Sequence, residues 1–289
     1  MSSATDSSAK LIVPGPLVSA EWLAAELSHP ALVVLDASWY LPGTGWDGAD
    51  EWLQRRIPGA RYFDFDDRIR DRDSALPHML PAAQWFTHEA RRLGISGDSA
   101  VVVYDSQGIF SSARGWWMLR AMGCANVAVL DGGLPAWLLA EMPLAEGEPE
   151  AVSPGDFTAK LQPQLVSSAD DMLRALNSSA ARVLDARPAE RFAGRVAEPR
   201  SGLRRGHMPG AHNVPYDTLL QDGHLRSPEQ LRALLAPELP EQGELRCSCG
   251  SGVSACVLAL AAEVAGYRNW SVYDGSWAEW GARSDLPVA

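Results

Sequence analysis

The chain has 289 residues, of which 46% are hydrophobic and 21% charged, enough apolar material for one large or two ordinary globular domains and too much for a mainly disordered chain. A formal net charge of -11 excludes a broadly basic surface for nucleic acid or anionic membrane, so an anionic ligand must be met by a local group of arginines. Four cysteines, with Cys247, Cys249 and Cys256 close together, neither staple a secreted fold of this size nor show zinc-ligand spacing, so reduced, reactive thiol is expected, with no metal and no cofactor.

Along the chain, the opening MSSATDSSAKLIVPGP has neither a basic stretch nor a long apolar run, and nothing later approaches a membrane span. A soluble, cytoplasmic protein is expected, without membrane or nucleic-acid partners. VVLDASW at 33–39 recurs as RVLDARP at 182–188, IPGARYFDF from Ile57 as MPGAHNVPY from Met208, and VAVLDGGLPAWLLAEMPL at 127–144 as WSVYDGSWAEWGARSDLPV at 270–288. The offsets run from about 143 to 151 residues in one order, which marks a duplicated domain. Residues 1–145 form the first copy, the Pro-, Gly- and Glu-rich stretch 146–164 a linker, and 165–289 the second copy.

In the second copy ARVLDA reads as a strand. SPEQLRALL begins a helix with Ser227 as N-cap, Pro228 at the first helical position and Gln230 closing a capping box. ELRCS is the next strand, VSACVLALAAEVAG a buried helix stopped by Gly266, and NWSVYD a further strand. This alternation predicts an α/β fold: two tandem domains, each a mostly parallel sheet covered by helices on both faces, with ligands beyond the strand C-termini.

Such a place is CGSGVSA, between ELRCS and its helix. Gly250 and Gly252 can take left-handed conformations and leave backbone N–H groups bare, and the helix N-terminus adds partial positive charge. Both effects stabilise negative charge on the sulfur of Cys249, the nucleophile of this reading. Cys247 reads as a buried small hydrophobe, or alternatively as an auxiliary redox-sensing thiol, and Cys124 and Cys256 read as structural.

With this loop, LDARPAERFAGRVAEPRSGLRRGHMPGAHNVP, YDGSWAEWG, VVVYDSQGIFSSARGWWMLR and HMLP, the chain from Leu32 to its end resembles the tandem-domain rhodanese superfamily, in its 3-mercaptopyruvate sulfurtransferase branch. The resemblance implies tandem rhodanese-like domains, the first catalytically silent, with Asp105 where the second has Cys249. It implies that Cys249 takes sulfane sulfur from 3-mercaptopyruvate, releases pyruvate, and passes the sulfur to cyanide or to an acceptor thiol such as that of thioredoxin. It places Arg191 and Arg200 on the substrate carboxylate, which a guanidinium fork reads well, beside the loop residues Gly250, Gly252, Val253 and Ser254. Ser251, His78 and Asp66 would form a proton relay, with Asp64 and Asp67 as alternative partners of His78. Arg187 is expected to be structural, as are the other histidines where they are not exposed.

Two positions depart from the family pattern: Ser254 stands for the usual Thr, and Arg56 for a His before IPGA. Three rival readings fit the sequence less well. A thiosulfate sulfurtransferase carries Arg and Lys directly after its Cys, where this chain has Gly250 and Ser251. A dual-specificity phosphatase needs an Arg six residues after its Cys, where this chain has Ala255. An inactive rhodanese scaffold would not need Cys249 together with Arg191 and Arg200.

Overall fold

A computed structural model describes residues 10–41, 43–238 and 243–289. The first repeat runs β1 (Leu17–Val18), α1 (Ala20–Glu26), β2 (Leu32–Asp36), α2 (Gly48–Gln54), β3 (Arg61–Tyr62), α3 (Ala83–Arg92), β4 (Ala100–Tyr104), α4 (Ser112–Ala121), β5 (Val127–Leu130) and α5 (Gly133–Leu139). Its strands pair in the order β1-β5-β4-β2-β3, all parallel.

The second repeat runs β6 (Val166–Ser167), α6 (Ala169–Leu176), β7 (Ala181–Asp185), α7 (Ala189–Phe192), β8 (His212–Asn213), the hairpin β9 (Leu220–Gln221) and β10 (His224–Leu225), α8 (Pro228–Leu235), β11 (Glu244–Ser248), α9 (Ser254–Val264), β12 (Trp270–Tyr273) and α10 (Ser276–Trp280). Its parallel sheet has the order β6-β12-β11-β7-β8, that of the first repeat element for element.

The central strands are near-continuous apolar runs because both faces are covered. Val33, Leu35, Val101 and Val103 face one apolar body, while Leu32, Val34, Ala100 and Val102 face the other. The first body does not stop at the domain boundary: through α4 and α9, which pack on each other, it continues to Leu184, Leu245, Cys247 and Val272 of the second sheet. Every residue of α9 from Ala255 to Ala262 is buried, as expected of a helix that is apolar all round and lies between two layers. Trp116 of α4 meets Trp270 of β12 with ring centroids 5.4 Å apart.

Caps set the ends. Ser227 and Gln230 form the capping box of α8 behind Pro228, and Gly266, with φ 96, follows the end of α9. Residues 146–162 contain no helix or strand, yet they are not free of the first domain. Gly155, Phe157, Lys160 and Gln162 donate backbone N–H groups to Arg91, Ile95, Met122 and Ala121, and Phe157 is buried. No helix among the described residues is long and apolar enough to cross a membrane.

Candidate active site

β11 ends at Ser248 and delivers Cys249 as the first residue of the turn into α9. The carbonyls of Cys249 and Gly250 accept from the N–H groups of Trp277 and Ala278 at 2.9 and 2.8 Å, in the first turn of α10. A trans peptide sets its C=O and N–H on opposite sides, so these two bonds turn the N–H groups of Gly250 and Ser251 away from α10. Among the described residues no backbone carbonyl accepts from the N–H groups of Gly250 through Val253. These amides are donors kept in hand for an anion. Cys249 itself is 2% exposed, and its N–H donates to Ser276 Oγ at 3.2 Å.

Of the two glycines that can adopt it, Gly252 takes the left-handed conformation, φ 77, and Gly250 does not. Its missing side chain serves another purpose. A Cβ there would stand 2.8 Å from Arg191 Nη2, so glycine lets that guanidinium lie against the loop. Arg191, in α7, is oriented by Glu198, whose Oε2 accepts from Nη2 at 2.5 Å and from Nε at 3.2 Å. The other oxygen of Glu198 accepts from Arg187 Nη1 at 2.9 Å. Arg187 is fully buried, grips Asp185 with Nη2 at 2.7 Å, and stacks 4.2 Å from the ring centroid of Trp277. It is structural, and Glu198 carries its order over to Arg191.

His78 is buried and has φ 60, the left-handed region that non-glycine residues rarely occupy. Its Nδ1 lies 2.8 Å from Asp66 Oδ1, although the ring N–H is not aimed straight down that line. Asp66 Oδ2 accepts from Trp39 Nε1 at 2.7 Å. Of the three candidate aspartates Asp66 is the one at the imidazole; Asp64 Oδ1 accepts from the N–H of Asp67 at 2.9 Å and closes a turn instead. His78 Nε2 meets Arg200 Nη2 at 3.3 Å. A guanidinium can only donate, so Nε2 accepts and the ring is neutral with its proton on Nδ1. Burial pushes the imidazole below its usual value against the pull of Asp66, and Arg114 and Arg200 push it further down. Burial would raise Asp66, but His78, Trp39 and Arg200 outweigh it and hold the carboxyl below its usual value. The expected contact between His78 and Ser251 is not made: Arg200 occupies that side of the ring, and Ser251 lies buried in the loop.

Arg200 feels Asp66, the Cys249 sulfur and Arg191 together, and burial lowers its pKa against the first two. Cys247 lies fully buried between Leu184 and Val272 of the neighbouring strands, and burial pushes its thiol up, as it does that of Cys256. Burial likewise raises Cys124, to about 11.

A rhodanese-like domain model matches this chain twice, over residues 19–140 and 168–283. The chain belongs to the rhodanese family. Human 3-mercaptopyruvate sulfurtransferase is 43% identical over 276 residues, 93% of this chain and 92% of the relative. Rat thiosulfate sulfurtransferase is 40% identical over 277 residues, again covering 93% and 92%. The crystal structure of SseA, a 3-mercaptopyruvate sulfotransferase from Escherichia coli, superposes with a TM-score of 0.83 at 38% identity, covering 91% of this chain and 99% of that one.

The two rhodanese loops show what the cradle prefers. In the first domain Asp105 follows β4 as Cys249 follows β11, and its carboxylate accepts from the backbone N–H groups of Gln107 at 2.8 Å, Phe110 at 2.9 Å and Ser112 at 2.8 Å. An anion of the chain itself fills that cradle. In the second domain the corresponding group is the Cys249 side chain. Sequence reasoning missed Glu198, Trp39 and Ser276, which orient Arg191, Asp66 and the start of the loop. It also missed Arg114 and Asp274. All five stand in the quoted motifs, but nothing in their spacing shows which side chain each one meets, least of all that Arg114 crosses into the other domain.

Proposed function

We propose that this rhodanese moves sulfane sulfur from 3-mercaptopyruvate through a persulfide on Cys249 to an acceptor thiol or cyanide. The observation that carries this is one buried cysteine at a loop of open amides, with Arg191 and Arg200 beside it and no cation at Gly250 or Ser251. The Cys249 thiolate attacks the substrate sulfur. An S–S bond forms as the C–S bond breaks, and the electron pair of the latter passes into the enolate of pyruvate, which takes a proton at carbon. Open amides stabilise the sulfur anions on both sides of this step, and the two guanidiniums suit one carboxylate and its adjacent ketone. An acceptor thiolate or cyanide then attacks the outer sulfur and restores the Cys249 thiolate.

Asp66, His78 and Ser251 supply the proton route. A substrate carboxylate that draws Arg200 off His78 Nε2 would open that nitrogen to Ser251. The 1–145 domain is the silent copy, 146–164 the linker and 165–289 the catalytic copy, and the protein works in the cytoplasm, with a thioredoxin-type thiol among its acceptors. Supporting the division into a silent and a catalytic copy are Asp105 in the first cradle and the family match to each half.

The thiosulfate reading, kept open by the rat relative, is tested by kinetics with both donors. Mercaptopyruvate should be preferred by at least about tenfold, ~1.4 kcal/mol of differential transition-state binding. After incubation with mercaptopyruvate, peptide mapping should place about 32 Da on Cys249 alone, the mass of one sulfur on the reactive thiolate. Equal use of thiosulfate, or sulfur mainly on Cys247, would reject the reading.

A further inference from the structure

The interface between the two rhodanese domains is a near-twofold arrangement with one break in it. Asp131, after β5, accepts from the N–H of Leu225 in the second domain at 2.9 Å. Asp274, after β12, accepts from the N–H of Leu80 in the first domain at 2.7 Å. Each domain thus holds a segment of the other, and Asp274 holds the segment that carries His78. The helices α4 and α9 pack together at the centre, and their third residues are Arg114 and Cys256. Cys256 turns back, its Sγ donating to Gly252 O of its own loop at 3.1 Å.

Arg114, fully buried, crosses over. Its Nη1 lies 2.8 Å from Asp274 Oδ1 and donates to the carbonyl of Gly252 at 3.2 Å, its Nη2 donates to the carbonyl of His78, and its guanidinium lies 4.5 Å from the ring centroid of Trp117. We infer that Arg114, paired with Asp274, is a positioning residue for sulfur transfer: one guanidinium from the silent domain sets the reactive loop and the imidazole relative to each other.

Two physical consequences give this its force. The Gly252 carbonyl faces Arg114, so the N–H of Val253, on the far side of the same planar peptide, points away from it. The bond therefore fixes the direction of one of the open amides. His78 has a backbone conformation that costs free energy outside glycine, and the bond from Arg114 to its carbonyl helps to keep it there. A Cβ on Gly252 would stand 2.8 Å from Arg114 Nη1 and 2.9 Å from the carbonyl oxygen of Asp274, so the loop has room for the clamp only because that residue is glycine.

The inference rests on the sulfurtransferase reading for its effect on turnover, and a second measurement is independent of it. In the full-length protein, Arg114→Ala should lower kcat for mercaptopyruvate by at least about tenfold while KM stays within about threefold, because Arg191 and Arg200 are untouched. Millimolar guanidinium should restore part of the loss in this variant. Cys249 should be alkylated by iodoacetamide more slowly in Arg114→Ala than in the wild type, by at least about threefold, once the amide cradle is no longer held. If Arg114→Ala does not give a native near-ultraviolet circular dichroism spectrum, Arg114→Lys, which keeps a buried cation beside Asp274, takes its place in both measurements. A folded variant with wild-type kcat in an active enzyme, or with wild-type alkylation of Cys249, overturns the inference. A wild type that turns over neither donor but shows the alkylation difference rejects the sulfurtransferase reading and leaves the clamp standing.

Discussion

Asp36 and Asp185 close the same strand in the two domains, yet only Asp185 has a cation beside it, because Ser38 stands where the second domain has Arg187. Burial raises the Asp36 carboxyl to about 6, against the hydrogen bonds from Ser38. A folded pKa above the unfolded value contributes stability that is complete below the unfolded value near 3.8 and lost as pH rises through about 6. The window is worth about 3 kcal/mol. The unfolding free energy of the wild type minus that of Asp36→Asn should fall by up to that amount between pH 4 and 6.5 in urea titrations, and a flat difference would show that Asp36 does not titrate there. Glu198 gives the second residue-level test. Glu198→Gln leaves Arg187 and Arg191 sharing a neutral amide and should cost about 1.4 kcal/mol in kcat/KM, most of it in KM, and Arg191→Ala should cost about 2 kcal/mol or more. Arg195→Ala, which breaks only an exposed pair with Glu190, should leave kinetics unchanged; equal losses in all three would reject a specific carboxylate clamp.

At the level of the element, the turn between β11 and α9 holds two glycines for different reasons, and their alanine variants should part company. At Gly250 the new Cβ meets the flexible end of Arg191, so Gly250→Ala should raise KM by displacing that guanidinium and leave the melting temperature within a degree or two. At Gly252 the φ of 77 is unfavourable for any side chain, and the Cβ meets the backbone of Asp274 and a fully buried guanidinium. Gly252→Ala should therefore cost roughly 1 kcal/mol or more of stability and reduce kcat. Thermal melts with steady-state kinetics on the pair would decide, and matching profiles would refute the distinction.

For the whole molecule, the decisive feature is that the apolar body under one face of each sheet is shared through α4 and α9. Separated domains would expose that face, including Trp116 and Trp270, and the second domain alone would lack His78, Asp66 and Arg114. Residues 165–289 expressed alone should aggregate or give a weak near-ultraviolet circular dichroism spectrum, without sulfur transfer, whereas the intact chain should unfold in one cooperative step. An active, monodisperse 165–289 fragment would show that the first domain is dispensable.

How much of this was legible beforehand follows from what is local. The duplication, the parallel α/β order, the capping box at Ser227, the stop at Gly266 and the placing of Cys249 at a strand C-terminus all depend on neighbouring residues and on periodicity, which the amino-acid sequence determines by itself. The directions of side chains across the interface do not. That Asp66 and neither Asp64 nor Asp67 meets His78, that Arg200 occupies the imidazole nitrogen expected to face Ser251, that Gly250 makes room for Arg191, and that Arg114 reaches from one domain into the other domain's loop were decided only in the tertiary structure. The physical reason is that each of these contacts joins residues far apart in the chain, and which partner a buried charged group finds depends on how the two sheets close on α4 and α9 and not on any pattern along the sequence.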